Sequence, residues 1–323
     1  MLNIVLTGAT GYVGQAFLKA LVHLPEGAVS VKALVRSPER IKLPSFVELV
    51  QGSLPDVPDK LFFDVPHVLI HFGVKQIDDD QSGFHAINVQ GTQNLLEKCN
   101  EHTLGTIYGS TLSVQGQKAQ SNIAESEALK PQTELAKSRA QAEQLVTRYM
   151  ENFEKWGFNL RPRFILGKED KYVLPGFIKL ARKGIYIGDG KQRYSVITVN
   201  DYSSIILKLA QFISEQSELI DKKVINPEQL SVNIGYQKAI SFDQIFTVIR
   251  EHLTANKRVI SLRFPGWLPG LLKWIPNKLI ESKATQLELI GFDHYGDISR
   301  LEQLIGRDIT QQNSLDKFKA LFD

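Results

Sequence analysis

Apolar residues run unbroken over 2–6, give way to Thr7-Gly8-Ala9-Thr10-Gly11-Tyr12-Val13-Gly14, and then recur at helical spacing at Val13, Phe17, Leu18 and Leu21. A short apolar run predicts a buried strand, and the 3.6-residue spacing predicts a helix that opens on the glycine turn. The alternation continues. Strands are expected over 31–35, 47–50, 65–72, 106–108 and 160–166, with helices over 83–100 and 133–156. The longer helix carries Leu145, Val146, Tyr149, Met150 and Phe153, and Gly157 stands where a C-terminal cap would fall. Strands and helices in this order define an α/β fold, a doubly wound parallel Rossmann sheet. After Gly167 the pattern loosens. Helices over 174–183 and 201–214 and a strand over 230–234 are expected, then a mostly helical stretch from Ser241. The first domain therefore covers 1–167 with a return near 194–235, and a smaller substrate lobe takes 168–193 and 236–323.

Composition narrows the class only slightly. With 43% hydrophobic and 23% charged residues the chain reads as an ordinary soluble enzyme. The net charge of +3 comes from 38 basic and 35 acidic residues without a basic run, which argues against nucleic acid as a partner. One cysteine, Cys99, forms no internal disulfide and reads as filler on the 83–100 helix. The seven histidines show no ligand spacing, so no metal is expected. The chain starts on a strand without a leader, and no apolar stretch reaches membrane length, so a cytoplasmic location is expected.

The glycine turn carries the chemistry. Gly8 permits the tight turn, Gly11 lets backbone approach a pyrophosphate, and Gly14 lets the helix pack on the strand. Thr10, Tyr12 and Val13 complete the loop, where helix N–H groups and the positive end of the helix dipole meet an anion. At the tip of the second strand stand Arg36 and Ser37, with no acid. A guanidinium there suits a ribose 2′-phosphate, so NADP is expected rather than NAD.

Later landmarks are His71-Phe72-Gly73-Val74, Asn88-Val89-Gln90-Gly91-Thr92, Leu160-Arg161-Pro162 with Gly167, Asn233-Ile234-Gly235 and Asp297-Ile298-Ser299-Arg300. Their order resembles the extended short-chain dehydrogenase/reductase family of epimerases, dehydratases and steroid dehydrogenase-like enzymes. The resemblance implies cofactor contacts at Phe72 and Gly73, and a homodimer through the 83–100 and 133–156 helices. It implies a catalytic hydroxyl at Thr111, with Ser110 and Ser113 as competing positions. The family's Tyr-x-x-x-Lys pair falls on Leu135 and Arg139. Leucine transfers no proton, whereas Arg139 keeps positive charge and donors for ribose hydroxyls. Tyr172, Tyr186 and Tyr194 are alternative proton donors. Two readings follow: an atypical reductase acting on a carbonyl or hydroxyl of an apolar small molecule, or a dinucleotide-binding sensor, scaffold or assembly factor without turnover. A nucleotide-sugar epimerase or dehydratase is a further alternative. The apolar stretch 264–276 reads as a packed helix with prolines at its ends, as a substrate wall, or as a weak membrane or partner contact.

Overall fold

The computed structural model describes residues 1–40, 43–77, 83–218, 231–253, 262–272, 274, 284 and 287–323. The chain divides into two compact units, one of residues 1–114, 129–161 and 200–232, the other of 115–128, 162–199 and 233–323.

The first unit opens with β1 (Leu2–Thr7), α1 (Tyr12–Leu21), β2 (Val29–Val35), β3 (Val47–Gln51) and β4 (His67–His71). A π-helical turn at His85–Gln90 leads into α2 (Gly91–Glu97), followed by β5 (Thr103–Gly109). The next strand, β6 (Gln120–Ile123), belongs to the second unit, and the chain returns with α3 (Glu134–Asn152) and β7 (Trp156–Pro162). Ile4, Val5 and Leu6 are fully buried in β1, as are Val68, Leu69 and Ile70 in β4. Their continuous apolar runs fit strands covered on both faces. β1 pairs in parallel with β2 and β4, β2 with β3, β4 with β5, and β5 with β7. The neighbours reverse direction of progression at β1 and β4, and the crevice beyond their carboxyl ends is where open α/β sheets bind ligands.

α3 is capped by Thr133, whose Oγ1 accepts the Ala136 N–H at 3.2 Å. It buries Ala136, Arg139, Ala140, Glu143, Val146 and Met150, a stripe at helical spacing. Two expectations on boundaries are corrected. The helix ends at Asn152, past which Glu154 takes a positive φ of 50°, so Gly157 is no cap but lies inside β7. The strand expected over 160–166 is two strands, because Arg163 interrupts it and the chain then pairs elsewhere.

The second unit continues with β8 (Phe164–Leu166), α4 (Val173–Lys183), β9 (Ile185–Ile187), β10 (Arg193–Tyr194) and β11 (Val196–Thr198). α5 (Val199–Glu218) runs through the first unit, and β12 (Ser231–Ile234) completes a seven-stranded sheet in the order β12-β7-β5-β4-β1-β2-β3. β13 (Ile240–Ser241), α6 (Phe242–Leu253), β14 (Leu262–Phe264) and β15 (His294–Gly296) follow. β13, β10, β15 and β6 form a small sheet. Phe164, Phe177, Tyr186, Tyr194, Phe242 and Phe246 are buried and packed on one another, which gives this unit its aromatic core. The helix expected over 264–276 falls partly outside the described residues. Residues 273, 275 and 276 lie outside the described ones, and a single turn at Leu268–Leu272 leaves Trp267, Leu271 and Trp274 exposed.

Candidate dinucleotide-binding site

The glycine loop is built by close backbone contact. Gly8 takes φ +76°, and a side chain on it would sit 2.5 Å from the Phe72 carbonyl carbon and 2.8 Å from the Gly73 nitrogen. Phe72 and Gly73, from the end of β4, thus form the wall against which the loop lies. A side chain on Gly14 would overlap the Gly8 carbonyl oxygen, so α1 can seat on the loop only through glycine. Gly11 holds the N-cap position in extended conformation, and its N–H bonds the Gly8 carbonyl at 2.9 Å. No side chain caps α1 and no acid stands in its first turn. An uncapped helix end beside a backbone cradle fits an anionic phosphate, and Thr10, Tyr12 and Val13 lie on that turn.

Behind the wall runs a buried hydrogen-bonded relay. Gly73 N–H donates to Thr7 Oγ1 at 3.0 Å, and Thr7 Oγ1 stands 2.6 Å from His71 Nδ1. His71 Nε2 lies 2.9 Å from Thr92 Oγ1, which donates to the Asn88 carbonyl at 2.6 Å. Since the Thr92 proton is committed to Asn88, His71 donates from Nε2 and accepts the Thr7 proton at Nδ1. Asn88 holds Lys75 through both backbone groups and donates to Ser138 Oγ at 3.0 Å, which donates to the Leu135 carbonyl at 2.9 Å. Burial, with the Arg139 charge added, lowers the His71 pKa to about 3, so its ring is neutral. The relay links the glycine loop to the first turn of α3. In the sequence Thr7, His71, Asn88 and Thr92 stand only as motif letters, and nothing there marks them, or Ser138, as parts of one relay.

The end of β5 is held from below. Ser110 donates to Glu143 Oε2 at 2.8 Å, and Arg161 Nε donates to Glu143 Oε1 at 2.7 Å, all three buried. The Ser110 hydroxyl is therefore engaged. Thr111 is half-buried and its Oγ1 accepts the Ser113 N–H at 3.3 Å, and among the described residues its own proton has no acceptor. Arg139 is 4% exposed, donates from Nη2 to the Gly109 carbonyl and lies 5.6 Å over the Tyr108 ring. Its Nε has no partner among the described residues. Leu135 is half-buried, whereas Lys137 faces solvent and pairs with Glu134 at 2.7 Å, on another face from Arg139.

The tyrosines divide by environment. Tyr108 and Tyr202 are buried, and desolvation raises both pKa values despite the nearby Arg139 charge. Tyr194 donates its hydroxyl to the Ile290 carbonyl, Tyr186 packs in the aromatic core, and Tyr172 is exposed. Arg36 is exposed and Ser37 half-buried just past the tip of β2.

A parallel sheet with a glycine-cradled helix end at its switch point defines a dinucleotide-binding protein of the Rossmann class. The model of the NAD dependent epimerase/dehydratase family matches residues 4–226, and the chain belongs to that family. It is similar to the decarboxylating sterol-4-alpha-carboxylate 3-dehydrogenase of Candida albicans, at 24% identity over 235 residues, which are 67% of this chain and 66% of that protein. It is also similar to the 2-alkyl-3-oxoalkanoate reductase of Stenotrophomonas maltophilia, at 26% identity over 286 residues, covering 76% and 81% of the two chains. The UDP-glucuronic acid 4-epimerase of Bacillus cereus in complex with NAD shares the fold over the whole of both chains, with a TM-score of 0.71 at 18% identity. These matches correct the expected cofactor. Among the solved structures sharing this fold, UDP-glucuronic acid 4-epimerase and MoeE5 were solved in complex with NAD, which argues against NADP; Arg36 itself is exposed just past β2.

Proposed function

We propose that the chain binds NAD and acts as an epimerase- or dehydratase-type enzyme on a hydroxyl of a small polar, sugar-like substrate. The observation that carries the polar reading is the likeness over the whole chain: the epimerase/dehydratase family model covers residues 4–226, and solved structures sharing the fold at TM-scores of 0.73 and 0.68 are UDP-sugar complexes with NAD. This favours the nucleotide-sugar alternative over the apolar carbonyl compound.

In this reading Gly8, Thr10, Gly11, Tyr12, Val13 and Gly14 cradle the pyrophosphate, Arg36 and Ser37 meet the adenosine ribose, and Phe72 and Gly73 wall the dinucleotide. Thr111 hydrogen-bonds the substrate oxygen, Arg139 fixes the end of β5 that carries it, and the proton released from the substrate hydroxyl passes to solvent water. NAD, when bound, supplies a hydride acceptor. Leu135 offers no proton, and this supports one second reading, a binder of NAD without turnover.

Calorimetry with NAD+ and NADP+, followed by incubation with a panel of nucleotide sugars under NADH absorbance and proton NMR, separates these readings. The enzyme reading expects NAD+ binding and a new epimer or dehydrated product. Tight NAD+ binding without a product from any sugar, but with oxidation of an apolar 3-hydroxy acid, would overturn the polar assignment. Binding with no product from either class would favour the binder.

A further inference from the structure

A cavity of about 500 Å³ lies wholly among residues of the second unit. It is lined by Asn122 from β6, Arg193 and Ser195 around β10, Lys238 from the loop before β13, and Tyr295 and Asp297 around β15. The volume is that of a small-molecule site, and none of these residues belongs to the dinucleotide site. β6 is distorted beside it. Ser121 pairs with Tyr295 and Ile123 with Gly296, so Asn122 is the extra residue of a bulge. It takes φ 54°, a left-handed conformation that asparagine tolerates better than most residues, and a bulge re-aims the side chain it carries.

The hydrogen bonds of the lining leave donors over. Glu302, also in the lining, is spent: Oε1 accepts from Thr310 Oγ1 at 2.9 Å, and Oε2 pairs with Arg307 Nε at 3.1 Å. Asp297 Oδ1 accepts the Ser299 N–H at 2.8 Å and its hydroxyl at 2.6 Å, which leaves Oδ2. Arg193 is engaged as well, donating to the Tyr295 hydroxyl at 2.6 Å and lying 3.8 Å from Asp293. Ser195 is 4% exposed and its Oγ accepts the Gly296 N–H at 3.1 Å. Among the described residues neither the Ser195 nor the Tyr295 hydroxyl proton has an acceptor, and neither the Lys238 ammonium nor the Asn122 amide has a partner. A buried donor left over in this way costs free energy that a ligand oxygen would recover.

We propose that this cavity is a second small-molecule site, for a hydroxylated organic anion such as a sugar phosphate or a sugar acid. Lys238, Asn122, Ser195 and Tyr295 donate to the phosphate or carboxylate oxygens, and Asp297 Oδ2 accepts a ligand hydroxyl. A neutral sugar makes less of the site, because it forms no charge-assisted bond with Lys238.

The test is calorimetry on the full chain in excess NAD+, with glucose 6-phosphate, glucuronate and glucose as probes. At least one of the two anions is expected to bind saturably and about tenfold more tightly than glucose, and the tighter of the two tells phosphate from carboxylate. Lys238→Ala is expected to weaken anion binding about tenfold with NAD+ affinity and the unfolding midpoint unchanged, and Lys238→Arg to retain it. Asn122→Gly keeps the left-handed backbone, removes only the amide, and should weaken binding about fivefold. Thr111→Val should leave it unaltered. Equal affinity for glucose, or no saturable binding of either anion, would overturn the proposal. So would anion binding that Lys238→Ala and Asn122→Gly leave unmoved, or that Thr111→Val abolishes, because the probe would then sit elsewhere.

Discussion

At the residue scale the site is decided by atoms that are missing. Gly14 has no side chain because α1 rests on the Gly8 carbonyl, and this contact is backbone on both sides, with nothing flexible to yield. Gly14→Ala is therefore expected to destabilise the protein by about 1–3 kcal/mol and to weaken NAD+ binding by tenfold or more. Urea unfolding and calorimetry read the two effects, and a variant with unaltered affinity would contradict the cradle. The glycines and Leu135 were legible because a single letter carries their meaning. The relay was not, since Thr7 and His71 stand 64 residues apart and Asn88 and Ser138 stand 50 apart. Such hydroxyls look interchangeable until the fold brings them together. Arg36 misled for a related reason: the letter suits a phosphate, but only its surroundings decide whether one is there.

At the scale of elements, the long strands and helices followed from apolar periodicity, whereas the short ones did not. β10 and β13 are two residues each, too few for alternation to register. What ties the large elements together is a buried charge. Glu143 on α3 accepts from Arg161 on β7, from Ser110 beyond β5, and from Ser231 of β12 at 3.0 Å. Removing the charge leaves the Arg161 guanidinium buried without its counter-ion. Glu143→Gln is expected to cost about 3–5 kcal/mol, whereas Ser231→Ala takes a single donor from the carboxylate and should cost about 1.5–3 kcal/mol. A urea series on the two variants checks the ratio. Arg161 stands in a sequence landmark and Ser110 among the candidate hydroxyls, but their convergence on Glu143 joins separate segments and was not legible.

For the whole molecule, the two units share one sensitivity, which fixes how stability depends on pH. His71 in the first unit and His294 in the second are both buried and neutral. Desolvation, reinforced by Arg139 and by Arg163 respectively, lowers their pKa values to about 3 and about 2. His67, the first residue of β4, is shifted the same way by burial. Each folded-state value lies below the ordinary 6.5, so the unfolded chain takes up protons that the folded chain refuses. The stability these rings confer is complete above pH 6.5 and is lost as pH falls from there toward 3. Between pH 7.5 and 5.0 each fully shifted histidine should subtract about 2 kcal/mol. Urea unfolding across that interval should thus show a loss of about 4 kcal/mol from His71 and His294 together. His71→Gln should remove about half of the slope, although it lowers stability at pH 7.5 by breaking the relay to Thr7 and Thr92. A stability flat from pH 7.5 to 5.0 would mean that these imidazoles take up protons in the native state. The tautomer assigned to His71, and with it the proton order of the relay behind the glycine loop, would then be wrong.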